Sequence, residues 1–144
     1  MSQENRRTAL PLGRALLAAA LLCAPALAGA QERAQEDSYS PAYKTCMDKS
    51  GGVTAAMLDC GSAEYAKLDA ALNAAYRAAT NGLEAEQRNL LRDTQRAWLA
   101  YRDSSCSFMS RLGDRGTMAS LSDQSCLMRV TAERTRWLKD LAPL

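Results

Sequence analysis

Between Thr54 and Leu141 the chain carries apolar side chains at three- and four-residue steps and no proline, a pattern that predicts helix almost throughout. Ala, Leu, Glu, Arg and Gln dominate this stretch and all favour helix. No segment alternates apolar and polar residues in the way a half-buried strand does. A first helix is expected from about Thr54 to Thr80, with Tyr65, Leu68, Leu72, Tyr76 and Ala79 on one face, and Asn81-Gly82 stops it. A second runs from about Glu84 to Leu112 along a seam of Leu91, Thr94, Trp98, Tyr101, Ser105, Phe108 and Leu112. Gly113 to Gly116 breaks the pattern. A third follows from about Met118 or Ser120 to Leu141, with Leu127, Val130, Thr131, Arg134, Leu138 and Leu141 inward. Short connections make successive helices antiparallel, so the start of the first, the end of the second and the start of the third meet at one end. The predicted fold class is all-α: a small antiparallel helical bundle of about three long helices.

The pattern is different before Thr54. Residues 1–30 read as an export signal, with Arg6, Arg7 and Arg14, then an apolar run from Ala15 to Leu27, then the small residues Ala28-Gly29-Ala30 at a cleavage site. The run is 13 residues long and contains Pro25; a membrane-spanning helix needs ~20. A twin-arginine signal at Arg6-Arg7 and lipid attachment at Cys23 are the weaker alternatives. Residues 31–42 are polar without period and are expected to form a disordered leader, with the folded domain over residues 43–144. Such a protein is periplasmic or secreted, with no membrane attachment after cleavage.

Removing residues 1–30 leaves 15 basic and 15 acidic side chains among 114 residues. A neutral chain has no general attraction for nucleic acid or anionic lipid. Cys46, Cys60, Cys106 and Cys126 remain, an even count in a short exported domain, and they are expected as two disulfides. A metal site is disfavoured, because the chain has no histidine and its nearest mature cysteines are 14 residues apart. Three pairings are possible. The local one, Cys46 with Cys60 and Cys106 with Cys126, suits the end of the bundle where all four lie, and each loop closure is worth about 3 kcal/mol in the chain-entropy model.

Polar groups interrupt the inner faces: Asp69 and Asn73 on the first helix, Gln95, Arg102 and Asp103 on the second, Thr131 and Arg134 on the third. They read either as a ligand pocket or, preferably, as a structural network that fixes helix register. Trp98, Tyr101, Tyr76 and Trp137 read as core packing in preference to a sugar-stacking platform. Catalytic machinery is not in view: there is no histidine, no phosphate loop and no serine elbow, and no cofactor is implied. Asp69 with Asp103 is the one carboxylate pair to weigh for glycoside hydrolysis, and nearby arginines would hold both ionised, which suits a general acid badly.

The stretches Thr54-Ala-Ala-Met57-Leu-Asp-Cys60, Leu68-Asp69-Ala-Ala-Leu72-Asn73-Ala-Ala-Tyr76 and Gln95-Arg-Ala-Trp98-Leu-Ala-Tyr101-Arg102-Asp103 are followed by Cys106, Gly116-Thr117, Cys126-Leu127, Thr131 and Arg134. In this order they resemble the lysozyme-inhibitor LprI-like N-terminal domain family (DUF1311), over roughly Cys46 to Leu141. The resemblance implies a small helical envelope domain with cysteines of the family type, not an enzyme, whose partner is a lysozyme or another envelope protein. Inhibition would need a rigid protrusion at a sugar cleft, and the loop Gly113, Asp114, Arg115, Gly116 and Thr117 between flanking cysteines is the candidate. The neutral charge gives no long-range steering toward a basic lysozyme. The alternative is a structural or regulatory envelope module that binds a wall component or an envelope protein through its helix surface.

Overall fold

The computed structural model describes residues 39–113 and 116–141. The export segment 1–30, most of the leader, and Asp114 and Arg115 of the candidate loop lie outside these. The described residues form four helices: α1 Pro41–Lys49, α2 Thr54–Thr80, α3 Ala85–Gly113 and α4 Thr117–Leu141. The first two long ones match the expected spans to within about a residue, and the third starts at Thr117, one to three residues before the expected Met118 or Ser120. The short α1 was not anticipated, and it begins inside the segment expected to be disordered. Its start is chemically specified. Ser40 has extended backbone and accepts the Tyr43 N–H through Oγ at 3.2 Å, while Pro41 occupies the first turn, where its missing N–H costs nothing. Gly51 and Gly52 then take positive φ, 59° and 77°, and turn the chain into α2.

What holds so short a helix is a buried carboxylate on its neighbour. Glu64 of α2 is only 3% exposed, and it accepts the Ser40 N–H at 2.7 Å and the Ser40 hydroxyl at 2.6 Å. Lys67, one turn on, completes the cluster at 3.2 Å. The Cys46–Cys60 disulfide ties the far end of α1 to α2, with Cα atoms 5.7 Å apart. Both ends of α1 are thus fixed to one helix.

The long helices do not pack simply in chain order. α4 lies against α2 most extensively and against α3 next, and is the neighbour they share. Gln124, near the start of α4, donates to the Leu58 carbonyl at 2.9 Å and the Ser62 hydroxyl at 3.1 Å near the start of α2, so α2 and α4 run parallel. Cys106, late in α3, is bonded to Cys126, early in α4, so these two run antiparallel. The starts of α2 and α4 and the end of α3 do meet at one end. Gly61 makes the α2–α4 approach possible there, because a Cβ at this position would run into the Gln124 side chain.

At the opposite end Leu72, Ala75 and Ala79 of α2, Leu91 of α3 and Leu138 of α4 form the apolar core, with Tyr76, Leu83, Trp98 and Leu141 packed against it. Two neighbours explain why α4 buries Met128, Ala132 and Thr135 in addition to the expected Thr131 and Leu138. On α3 the expected seam is corrected. The residues that turn inward are Leu91, Gln95, Arg102, Cys106 and Ser110, whereas Tyr101, Phe108 and Leu112 are 64%, 60% and 64% exposed. Cys106 has to face Cys126, and that requirement rotates the helix by about one residue away from its most apolar stripe.

The Glu64 latch predicts a pH dependence. Burial pushes its carboxyl upward, but hydrogen bonds from the Ser40 hydroxyl and N–H and the Lys67 ammonium outweigh this and hold it below the ordinary carboxylate value. A folded-state value below the unfolded one contributes stability that is complete above the unfolded carboxylate range, ~4.3, and is lost as pH falls through the folded value. Thermal melts should therefore show wild type more stable than Glu64→Gln at neutral pH, with the gap closing below about pH 4. A gap that stays constant into acid would exclude this role for Glu64.

Candidate functional site

The polar residues on the inner faces separate into distinct groups. Asn73 bonds to Asp69 at 3.0 Å along one turn of α2, and Asn73 is exposed to solvent. Neither residue bonds to α3 or α4. Arg134 donates through Nε to Gln95 Oε1 at 3.0 Å, linking α4 to α3. Arg102 pairs with its neighbour Asp103 at 2.8 Å. Thr131 is fully buried and accepts the Thr135 hydroxyl on its carbonyl. Asp69 and Asp103 belong to different groups, each with its own partner.

The two inner arginines are held mainly by aromatic faces. The Arg102 guanidinium carbon lies 5.3 Å from the Trp98 ring centre and 6.0 Å from that of Tyr65; Arg134 lies 5.6 Å from Trp98 and 3.9 Å from Trp137. Trp98 therefore serves both cations. Arg102 Nη1 and Arg134 Nη2 are buried with no hydrogen-bond partner among the described residues, and the aromatic faces supply attraction in place of an oxygen acceptor. Burial pulls the Arg134 guanidinium below its ordinary value. Trp98 and Tyr76 are half-buried, as core packing implies, but Trp137 and Tyr101 are 41% and 64% exposed.

Three hollows open at the stapled end. A groove of about 340 Å³ runs beside the Cys106–Cys126 bond, between Tyr101, Phe108 and Met109 of α3 and Arg129 and Val130 of α4. On the other flank of the same seam a polar cleft of about 500 Å³ is lined by Asp103, Ser107, Ser110, Arg111, Ser120 and Asp123. A wider hollow of about 760 Å³ lies beside Cys46–Cys60, against Pro41, Ala42 and Ala56. The candidate loop joins α3 to α4 at this end. Of its residues, Gly113 ends α3, Gly116 takes φ 75° and Thr117 starts α4, and Leu112 and Met118 on either side are 64% and 52% exposed. Ser40 and Glu64 are the site-building residues that sequence reasoning missed; the Ser-Pro pair ahead of Tyr43 was the available signal.

Among the described residues no group of three or more His, Cys, Asp or Glu has metal-holding geometry, and no helix is long and apolar enough to cross a membrane.

Comparison with known proteins gives a consistent assignment. The family model described as lysozyme inhibitor LprI matches residues 46–138. An uncharacterized protein of Rhizobium meliloti (strain 1021) is 30% identical over an alignment of 95 residues covering 57% of this chain and 68% of that one. The uncharacterized protein YecT of Escherichia coli (strain K12) is 36% identical over 98 residues, 56% of this chain and 59% of its own length. No solved structure matches.

The separation of the polar groups predicts unequal effects on stability. Asp69→Ala removes only a solvent-facing bond and should change stability by no more than about 0.5 kcal/mol. Arg102→Ala strips a cation from two aromatic faces and should cost about 2 kcal/mol, and Arg102→Lys should not restore it, since an ammonium lacks the planar stack. Chemical denaturation checks all three; equal losses for Asp69→Ala and Arg102→Ala would contradict the separation.

Proposed function

The chain belongs to the lysozyme inhibitor LprI family, and from that premise we propose that it is an exported protein-binding module that blocks a muramidase sterically, without cofactor or turnover. The observation that carries the reading is the stapled end of the bundle. The Cys106–Cys126 bond, with Cα atoms 5.5 Å apart, ties α3 to α4 about two turns from the connection over residues 113–117. Two exposed apolar residues, Leu112 and Met118, border the connection. A loop on a rigid base loses little conformational freedom when it docks, which favours a stoichiometric block.

The family is one of inhibitors, in keeping with a binding role. The basic, apolar and small-residue order of residues 1–30 supports export and cleavage near Ala30, and an oxidising compartment is where two disulfides persist. Asp114 is the residue of the connection proposed to meet a cationic group at the enzyme cleft.

The test is lysis of a peptidoglycan suspension by several classes of lysozyme, with and without the purified oxidised protein, repeated with Asp114→Ala and Met118→Ser. Inhibition of one class, weakened about tenfold or more by either change, is expected for a central contact residue. Inhibition that both variants retain in full would move the contact off this connection. Failure to inhibit any class would overturn the reading in favour of a structural or regulatory envelope module.

A further inference from the structure

The groove beside the Cys106–Cys126 bond differs from the other two hollows in its charge. The cleft on the opposite flank sets Asp103 and Asp123 against Arg111, and the hollow beside Cys46–Cys60 holds Lys49 together with Asp59. The groove is lined by two arginines, Arg102 and Arg129, and by no carboxylate. Its volume of about 340 Å³ suits a small molecule or the end of a chain.

The disulfide brings the two cations to one level. Arg102 lies four residues before Cys106 on α3, and Val130 lies four residues after Cys126 on α4. Because these helices run antiparallel, both positions are one turn from the bond in the same direction, and Arg129 adjoins Val130.

The two arginines contribute in different ways. Arg102 is 9% exposed. Its Nε and Nη2 both donate to Asp103 Oδ1 at 2.8 Å, and Asp103 belongs to the opposite cleft. Nη1 is buried with no hydrogen-bond partner among the described residues. A guanidinium that has already lost its hydration gives up little more when it pairs with an anion. Arg129 is the reverse case. Its side chain is 41% exposed and holds Glu133 at 2.9 Å, and an exposed pair of this kind contributes little and exchanges readily. An anion in the groove thus meets one fixed guanidinium and one that can turn toward it, and the half-buried Ser105 adds a hydroxyl.

The remaining walls indicate what carries the anion. Tyr101, Phe108 and Met109 are 64%, 60% and 59% exposed, and an apolar body seated against them removes this surface from water, which an inorganic ion cannot do. A planar carboxylate matches a guanidinium edge. The groove is open to solvent, which suits a chain that continues outward through amide groups better than an alkyl tail that needs enclosure. We propose that this groove binds the free carboxyl end of a short apolar peptide, with the carboxylate at Arg102 and Arg129 and the last side chain against Phe108 and Met109. The proposal does not rest on the inhibitor reading, since Leu112, Asp114 and Met118 lie outside the groove.

The test is a heteronuclear NMR titration of the oxidised protein with N-acetyl-alanyl-alanine, in its all-L and all-D forms, and with the corresponding C-terminal amides. Saturable shifts centred on Tyr101, Ser105, Phe108 and Val130 are expected for the acids, together with a shift of the Arg102 Nε–H resonance. The amides should bind about tenfold more weakly or worse. A preference for the D form would point to cell-wall peptides as the source, and a preference for the L form to protein C-termini. Arg129→Gln should weaken binding of the acids about tenfold, and Met109→Asp, which places a like charge at the groove, should abolish it. Unchanged melting temperatures would show that these two exposed positions leave the fold intact. Equal binding of acid and amide, shifts that fall elsewhere on the surface, or displacement of the peptide by an equal concentration of inorganic phosphate would each overturn the proposal, as would the absence of saturable shifts with every probe.

Discussion

With Cα atoms 5.5 Å apart, Cys106 and Cys126 must point at each other across the α3–α4 seam, and this decides which side of α3 is inside. A helix has one rotational freedom about its axis. Once residue 106 faces α4, residues 95, 102 and 110 follow it inward, and residues 101, 108 and 112, about 140° round, are left outside. The inner line is the more polar of the two. Packing by apolar burial alone would have chosen the other face, so the covalent bond overrides the hydrophobic ranking over the last turns of α3.

Arg102 and Arg134 follow from that rotation. A buried guanidinium loses hydration that a single exposed carboxylate does not replace. Arg102 has such a carboxylate in Asp103, whose side chain is 62% exposed, while Arg134 has a neutral amide in Gln95. Three aromatic rings, Tyr65, Trp98 and Trp137, compensate by offering negative faces on α2, α3 and α4. The middle of the bundle is therefore held by cations stacked on rings, and the apolar core is confined to the end where Ala75 and Ala79 let the helices come close.

The sequence was legible where the signal was local. Thr54, the Asn81-Gly82 stop and the break after Leu112 marked the long helices to within about a residue, because glycine and capping chemistry act on their own neighbourhood. The disulfide pairing was not fixed by the sequence, which allows three and only favours the local one that the structure shows. Rotation about an axis was not: α3 offers two adjacent stripes, and periodicity favours the more apolar one without knowing where Cys126 is. The short α1 escaped notice because its nine residues bury none of their side chains fully, and its stability comes from Glu64, 24 positions downstream of Ser40. Asp69 and Asn73 were placed with the arginines on the strength of shared polarity, yet the turn of α2 that carries them bonds only within itself.

The staples also bear on how much apolar surface the domain leaves uncovered. A chain of this size buries a limited core, and a domain that relied on burial alone would turn Tyr101, Phe108 and Leu112 inward. Two disulfides shorten the loops of the unfolded chain and supply stability that does not depend on which helix face is buried. The apolar stripe of α3 is thereby released from service in the core.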